Sequence, residues 1–298
     1  MIISGSLAEC KNTAKEPDIK KSSFSNCTIT STPDEVGDIS IYTLYSGSGG
    51  NCIYVRYGND AILIDCGSSA RAVKRSLSLL GADISLVRGI FVTHEHQDHV
   101  AALDVLCRHH HLPIHITSES EEALYGKMFT MHDYTITHTP YYTETVGKMT
   151  IRSFPTPHDS VMSVGYTIEF EGKDIRFGIA TDIGHISDEI ISSLTGCTHV
   201  IIEANHDISM LKYGPYPAWL KRRILSPYGH LSNDDCGTLA CTLVDGGARS
   251  ILLAHLSEEN NRPDIAVRTV SEALARASFD TSEISLAAAN AHTPTRLI

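Results

Sequence analysis

The most informative segment of the sequence is Thr93-His94-Glu95-His96-Gln97-Asp98-His99, at the end of the apolar run of residues 87–93. Because residues i and i+2 of an extended backbone project to the same side, His94 and His96 can bind one metal ion, whereas Asp98 and His99 begin the next turn and can face a second ion. Imidazole and carboxylate ligands together suit Zn²⁺ or another borderline divalent ion. The alternative is a histidine-rich surface loop, which the position after an apolar strand disfavours.

Three further polar residues follow apolar runs elsewhere in the chain. His158 comes after the run that ends at Phe154, Asp182 after residues 175–179, and His255 after residues 251–253. One such residue is more often a hydrogen-bonded polar group at a strand end. Their recurrence after consecutive strands predicts that they converge with the first motif on a single site.

Composition favours a soluble globular chain that is long enough to bury a sizeable core. The 298 residues are 42% hydrophobic and 20% charged, and the mean hydropathy is −0.06. The 35 acidic residues against 24 Lys and Arg give a net charge of −11, which disfavours a protein that coats nucleic acid. The 16 histidines direct attention to metal binding.

The spacing of the cysteines and the lengths of the apolar runs bear on the cellular compartment of the protein. None of the eight cysteines forms a C-x-x-C pair, so neither a zinc ribbon nor a redox dithiol is predicted. No signal peptide and no apolar run of membrane-spanning length is evident. We therefore expect free thiols, a cytoplasmic location and no membrane association.

The chain divides into an extension and one domain. Residues 1–38 interleave Ser, Thr, Lys and Asn with acids, which predicts a flexible N-terminal extension. The extension holds four lysines against six acids, which leaves a net charge of −9 for residues 39–298. That domain begins with an antiparallel meander and continues with groups of strands separated by helices, which favours an α/β (α+β) fold with sheets packed face to face and helices outside.

This constellation resembles the metallo-β-lactamase fold, an αββα four-layer sandwich that holds two metal ions between two sheets. The resemblance covers residues 39–298 and includes Asp65, in Leu63-Ile-Asp-Cys-Gly67, which would orient a ligand histidine without binding the metal itself. It implies three groups of ligands, namely His94, His96 and His158 for the first ion, Asp98, His99 and His255 for the second, and Asp182 as a bridge.

Accessory motifs are similar to those of the YycJ (WalJ) type of metallo-hydrolase, which is linked at family level with DNA 5′ to 3′ exonuclease activity. The resemblance implies DNA ends as the substrate and two divalent ions, Zn²⁺ or Mn²⁺, as cofactors. One departure is Ala204, where the family pattern leads us to expect Ser. The motifs are Ser46-Gly-Ser-Gly-Gly-Asn51, Glu203-Ala-Asn-His-Asp207, Gly229-His-Leu-Ser-Asn233 and His255-Leu-Ser-Glu-Glu-Asn-Asn261.

Two ions about 3.5–4 Å apart can lower the pKa of a shared water and clamp both oxygens of an in-line displacement at phosphorus. We therefore expect phosphodiester hydrolysis by a metal-bridging hydroxide, with Asp98 as a catalytic residue that orients it. His230 is the second catalytic candidate, because it precedes a predicted helix N-terminus, where backbone N–H groups favour anions. The alternative for His230 is a capping loop in which the ring bonds to backbone.

Candidates for substrate binding surround these motifs. The basic run Lys221, Arg222 and Arg223 is either a track for a DNA backbone or a solvated helix face. For His206 a structural hydrogen-bond network is at least as good an interpretation as substrate contact. The other candidates are Asn205 and Asn233, and Tyr213, Tyr216 and Trp219 can stack on bases, although a core position is favoured for Trp219.

Other functions remain open at this point. A small-molecule, cyclic-nucleotide phosphodiesterase keeps the same fold and is compatible with the acidic net charge. A β-lactamase or thioester hydrolase fits the accessory motifs less well, and a non-enzymatic interaction module would require lost ligands. The antiparallel meander and the Asp98-His99 pair disfavour a TIM-barrel amidohydrolase, which also uses His-x-His after a strand.

Overall fold

The structure is a computed structural model that describes residues 39–128 and 130–298. The predicted extension, residues 1–38, lies outside the described residues. In the described part of the chain, no helix combines the length and the apolar character needed to cross a membrane.

Within these residues the strands form two seven-stranded sheets. In chain order they are β1 (Ile39–Tyr45), β2 (Cys52–Tyr57), β3 (Asp60–Ile64), β4 (Val87–Phe91), β5 (Ile114–Thr117), β6 (Thr135–His138), β7 (Thr143–Val146), β8 (Met149–Thr156), β9 (Ser163–Phe170), β10 (Arg176–Ala180), β11 (His199–Glu203), β12 (Ser250–Ala254), β13 (Ser285–Ala288) and β14 (Thr295–Arg296). The first sheet has the order β14-β1-β2-β3-β4-β5-β6 and the second β13-β12-β11-β10-β9-β8-β7.

The described helices lie between and after these strands. They are α1 (Ala70–Leu79), α2 (Gln97–Val100), α3 (Leu103–His110), α4 (Ser118–Leu124), α5 (Asp188–Leu194), α6 (Ile208–Tyr213), α7 (Ala218–Ile224), α8 (Asn233–Asp245) and α9 (Pro263–Arg276). Three short 3₁₀ segments, Ile84–Leu86, Met131–Tyr134 and Thr281–Glu283, complete the helical elements of residues 39–128 and 130–298.

Three apolar layers hold the elements together and confirm the αββα four-layer sandwich. The inner faces of the two sheets pack on each other through residues such as Ile62, Phe91 and Ile201. Helices α1 and α3 cover the outer face of the first sheet, and α5, α8 and α9 cover that of the second. Strand β12 is buried at every position, as a parallel strand with a sheet on one face and helices on the other requires.

The strand directions place one set of loops at one edge of the sandwich. Strands β1 to β3 form the predicted antiparallel meander, after which β3 to β6 run parallel. In the second sheet β10 to β13 run parallel. The loops that follow β3, β4, β8, β10, β11 and β12 carry the polar residues predicted to form the site.

Two parts of the predicted secondary structure differ from the structure. The sequence predicts one helix over residues 98–110, but the structure divides this segment into α2 and α3, and between them Ala102 N donates a hydrogen bond to Cys66 O. Strands β6, β7, β13 and β14 and helix α6 were not predicted. These strands are short and half exposed, so their sequences show no strong apolar alternation.

Candidate metal centre

Three imidazoles converge at the edge of the sandwich. His94 and His96 lie in the loop after β4, and His158 lies in the loop after β8. His96 Nδ1 is 3.0 Å from His94 Nε2 and 3.3 Å from His158 Nε2. Nitrogens that ligate one tetrahedral Zn²⁺ at about 2.0–2.1 Å are about 3.3–3.4 Å apart, so the three atoms are spaced as ligands of a single ion would be.

A second group of ligating atoms lies beside the first. Asp98 Oδ2 is 3.6 Å from both His99 Nε2 and His255 Nε2. Asp182 contacts both groups, because its Oδ2 is 3.3 Å from His99 Nε2 and its Oδ1 is 3.8 Å from His158 Nε2. The structure thus brings together all seven residues that the sequence analysis named as ligands.

Asp65 fixes the orientation of His99. Its Oδ2 accepts hydrogen bonds from His99 Nδ1 at 2.8 Å and from Thr93 Oγ1 at 2.8 Å, and its Oδ1 accepts one from Thr93 N at 2.8 Å. A carboxylate bound to Nδ1 leaves the Nε2 atom of His99 directed toward Asp98 and Asp182, as in carboxylate–histidine–metal arrangements.

Glu203 orients two histidines through their Nδ1 atoms, as Asp65 orients His99. This role of Glu203 was not predicted from the sequence. It is fully buried at the end of β11. Its Oε1 lies 2.8 Å from His230 Nδ1 and 2.8 Å from His255 Nδ1, and its Oε2 accepts from the backbone N–H groups of Ile183 and Leu231. The signal available in the sequence was an acid at the end of an apolar strand, the same signal that identified Asp182.

The backbone at the site is strained or crowded at several positions. Asp65, Asp182 and His255 have φ values of 58°, 56° and 55°, in the left-handed region that non-glycine residues rarely adopt. At Gly67 an added Cβ would lie 1.4 Å from the carbonyl oxygen of Asp98. The strand-end loops therefore adopt conformations that the surrounding packing imposes.

Buried charges of opposite sign shift the pKa values of the cluster. Burial opposes charge on His99, but the carboxylates of Asp182 and Asp65 raise its pKa to about 10. Burial would raise the pKa of Asp182, yet the imidazoles of His255 and His99 hold it well below its usual range. Burial would also raise the pKa of Glu203, but His230 and His255 lower it to about 2. The buried carboxylates and imidazoles thus favour each other's charged forms.

The donor set fits divalent cations. Asp182 Oδ2 and His255 Nε2 are buried and have no hydrogen-bond partner in the described structure. Burying such atoms without a partner is unfavourable, and a bound cation would satisfy both. Histidine and carboxylate donors in mixed groups match the preferences of Zn²⁺ and related ions.

The two groups lie at the base of an open cavity of about 290 Å³. His230, whose side chain is 19% exposed, lies at its wall. Arg223 also borders it and forms an ion pair with Asp159 through two hydrogen bonds. The cavity is lined by Ser48, His96, Asp98, Asp182, Asn205, Tyr216, Leu220, Arg223, Ile224, His230, His255 and Ser257.

Of the predicted substrate-binding residues, the structure brings Asn205 and Arg223 to this cavity. Asn205 Nδ2 donates to the carbonyl oxygen of His255 at 2.9 Å, so its amide also holds the β12 loop. Arg222 is exposed on α7 and does not line the cavity.

The other three substrate-binding candidates lie away from the cavity, within the fold or in contacts between helices. Lys221 Nζ donates to the carbonyl oxygens of Lys212 and Gly214, which end α6. His206 is 1% exposed, and burial lowers its pKa to about 4. Asn233 is fully buried and exchanges two hydrogen bonds of 2.9 Å with Asn261. The structure does not bring Lys221, His206 or Asn233 to the cavity.

Comparison with known proteins agrees with this architecture. Residues 45–188 match the Metallo-beta-lactamase superfamily. The chain is 34% identical over 243 residues to the exodeoxyribonuclease YycJ of Bacillus anthracis, which covers 80% of this chain and 90% of the relative. It is 32% identical over 241 residues to the exodeoxyribonuclease WalJ of Streptococcus pneumoniae, with 79% and 88% covered.

Solved structures show the same fold at low sequence identity. The metallo-β-lactamase fold protein YhfI from Bacillus subtilis aligns with a TM-score of 0.63 at 18% identity, over 87% of this chain and 100% of that one. The short form of human tRNase Z aligns with a TM-score of 0.62 at 15% identity, over 87% and 99%.

The four-layer sandwich, the histidine and carboxylate cluster and these matches together define the class, a metal-dependent hydrolase of the metallo-β-lactamase superfamily. Within that superfamily the chain belongs to the family of the YycJ and WalJ proteins.

Proposed function

We propose that this chain is an exodeoxyribonuclease that hydrolyses phosphodiester bonds at DNA ends in the 5′ to 3′ direction with two divalent ions, Zn²⁺ or Mn²⁺. The observation that carries the proposal is the convergence of two ligand groups on Asp182 at the base of an open cavity. The names of the YycJ and WalJ relatives support DNA as the substrate. The expected cytoplasmic location stays a prediction.

We assign the ligands as two sets of three with one shared carboxylate. Bound there, two divalent ions would supply an activated water and would neutralise charge on a phosphate group. Asp98, which is half buried at the cavity, has a carboxylate that would accept a hydrogen bond from the attacking water and so orient it. The sets are His94, His96 and His158, then Asp98, His99 and His255, with Asp182 shared.

His230 is positioned to protonate the leaving oxygen. Glu203 holds its Nδ1 atom at 2.8 Å, which leaves the remaining ring nitrogen as the donor for a group in the cavity. His230 also lies 3.8 Å from Asp182 Oδ1, close to the proposed reaction centre. General-acid catalysis of this kind contributes about 10²- to 10⁴-fold to the rate.

Arg223 is positioned to bind a phosphate oxygen. Its guanidinium group borders the cavity, and its ion pair with Asp159 is half exposed, so a phosphate can compete for the same donors. A guanidinium group binds phosphate through paired N–H donors, which fixes the orientation of the substrate as well as its charge.

The test combines metal content with nuclease activity. Purified protein is incubated with 5′- or 3′-end-labelled single- and double-stranded DNA and Mn²⁺ or Zn²⁺, and Asp182→Ala is compared with Asp174→Ala, a change of an exposed aspartate outside the site. We expect metal-dependent release of nucleotides from the 5′ end and loss of bound metal and activity only in Asp182→Ala. Turnover of a small cyclic phosphodiester without any hydrolysis of DNA would instead establish the small-molecule phosphodiesterase.

A further inference from the structure

The α6–α7 hairpin, residues 208–224, exposes aromatic rings beside the cavity. Tyr213 is 80% exposed and Trp219 is 61% exposed. The core position that the sequence favoured for Trp219 was wrong, because α7 turns Ile224 rather than the indole into the interior. An exposed aromatic ring beside a cavity offers a flat apolar face on which a ligand can stack.

One aromatic ring of the hairpin borders the proposed reaction centre. Tyr216, in the connection between the two helices, lines the cavity together with Leu220 and Arg223 of α7. Trp219 lies four residues before Arg223, so the indole and the guanidinium group project from the same side of the helix. The exposed indole therefore lies on the side of α7 that also carries Arg223, a residue of the cavity lining.

The hairpin presents these rings on a well-ordered framework. Asp207 Oδ1 accepts a hydrogen bond from Met210 N at 2.8 Å and caps the start of α6. Lys221 Nζ bonds to two carbonyl oxygens at the end of α6 at 2.9 and 2.8 Å and so ties α7 to it. A ring on a fixed element loses little conformational freedom when a ligand stacks on it.

Cations are interspersed with the rings, although the whole chain has a net charge of −11. Lys212 Nζ lies 5.5 Å from the centroid of the Tyr213 ring. The last turn of α7 carries Arg222 and Arg223. Rings that stack on bases and cations that contact phosphates are the two components of a site for single-stranded nucleic acid.

We propose that the α6–α7 hairpin is a subsite for unpaired nucleobases next to the scissile phosphate, with Tyr216 and Trp219 as the stacking rings. This inference rests on the proposed function and adds that the enzyme engages a strand end whose terminal bases are not paired. Bases inside a duplex are already stacked on both faces, so these rings can bind them only after the end has opened.

The kinetic test compares a nucleic acid with a substrate that has no base. We expect Trp219→Ala to lower kcat/KM for a single-stranded oligodeoxynucleotide by roughly 5- to 150-fold, with bis(p-nitrophenyl) phosphate hydrolysis unchanged. Trp219→Phe should retain most of the activity on the oligonucleotide. Tyr141→Ala, which removes a ring that is 60% exposed elsewhere, should behave as the wild type on both substrates.

A second comparison removes the base instead of the ring. An oligonucleotide with abasic sites at its terminal positions should be a poorer substrate for the wild type by a similar factor, and Trp219→Ala should cause no further loss on it. Equal losses on the oligonucleotide and on the small diester, or no loss on either, would overturn the subsite. Hydrolysis of DNA would then still support the proposed function.

Direct binding separates the two proposals further. Trp219 is the single tryptophan of the chain, so intrinsic fluorescence reports on that ring. We expect a hydrolysis-resistant phosphorothioate single strand to quench the fluorescence of the metal-loaded protein, and a blunt duplex of equal length to quench it less. Equal quenching by both, or none by either, contradicts the subsite, whereas absence of DNA hydrolysis with quenching intact contradicts only the nuclease activity.

Discussion

Glu203 connects the two histidines on which the proposed chemistry depends most. Its Oε1 atom bonds to the Nδ1 atoms of His230 and His255. We predict that Glu203→Gln weakens metal binding by roughly 10- to 100-fold, because a neutral amide oxygen accepts the two Nδ1–H hydrogen bonds more weakly than a carboxylate oxygen does. Competition with a chromogenic chelator measures the affinity directly.

The matched control for this prediction is Glu171→Gln, which changes an exposed glutamate in the turn after β9. Circular dichroism verifies that both variants are folded before their metal affinities are compared. Unchanged affinity in a folded Glu203→Gln protein would show that His255 keeps its orientation without the carboxylate.

Gly67 is a second residue on which the geometry of the site depends, because the space beside it does not admit a Cβ atom. An added Cβ would lie 1.4 Å from the carbonyl oxygen of Asp98, so Gly67→Ala must displace the loop that carries Asp98 and His99. We predict a loss of about 3 kcal/mol in the free energy of unfolding, at the upper end of overpacking costs, together with weaker metal binding. Urea denaturation measures the loss. Gly49→Ala, where nothing lies within 4 Å of the added atom, should leave stability unchanged.

At the scale of residues, the sequence predicted which histidines and carboxylates converge and that Asp65 supports one of them, but it did not predict the contacts of Glu203. His158, Asp182 and His255 were found because each follows an apolar run, and parallel strands bring such positions to one edge. Glu203 was missed because its importance lies in contacts with two loops that are distant in sequence. His206 resembles a site residue in sequence, but the packing of the chain places its ring in the interior.

At the scale of elements, Asn233 at the start of α8 forms a buried polar contact within the fold. The sequence had suggested this residue as a substrate-binding candidate. Asn233 and Asn261 exchange two hydrogen bonds, and Asn261 Nδ2 also donates to the carbonyl oxygen of Ala204. These contacts tie the start of α8 to the end of β11 and to the segment before α9. Asn233 therefore acts through the arrangement of three elements.

We predict that Asn233→Ala lowers the free energy of unfolding by about 1–3 kcal/mol, because the buried amide of Asn261 loses its partner. Urea denaturation of the metal-loaded protein measures the change. At a temperature where the variant is fully folded, its KM for DNA should equal that of the wild type. A large rise in KM with unchanged stability would instead support direct contact of Asn233 with the substrate.

Secondary elements were predictable from sequence where burial is complete. The central strands β10, β11 and β12 carry continuous apolar runs, since both faces are covered. The edge strands β6 and β7 alternate only weakly between buried and exposed residues, so their pairing depends on the neighbouring strand rather than on their own pattern.

At the scale of the whole molecule, the charge distribution limits how DNA can bind. The chain has a net charge of −11, and the acids repel a long polyanion over most of the surface. The α6–α7 hairpin of the proposed subsite carries the exposed cations Lys212, Arg222 and Arg223. We therefore expect a short contact at a strand end and no extended footprint.

This distribution predicts a shallow dependence of DNA binding on salt. Each phosphate contact with a single strand contributes about −0.7 to the slope of log K against log salt concentration, so three cations give a slope of about −2. Arg222→Gln should reduce the magnitude of that slope by about 0.7 and leave hydrolysis of bis(p-nitrophenyl) phosphate unchanged. Arg268→Gln, on α9, is the matched control and should leave the slope as it is. Fluorescence titrations of a phosphorothioate single strand at several salt concentrations measure the slope, and a value several-fold steeper than −2 would show that DNA contacts much more of the surface than the hairpin.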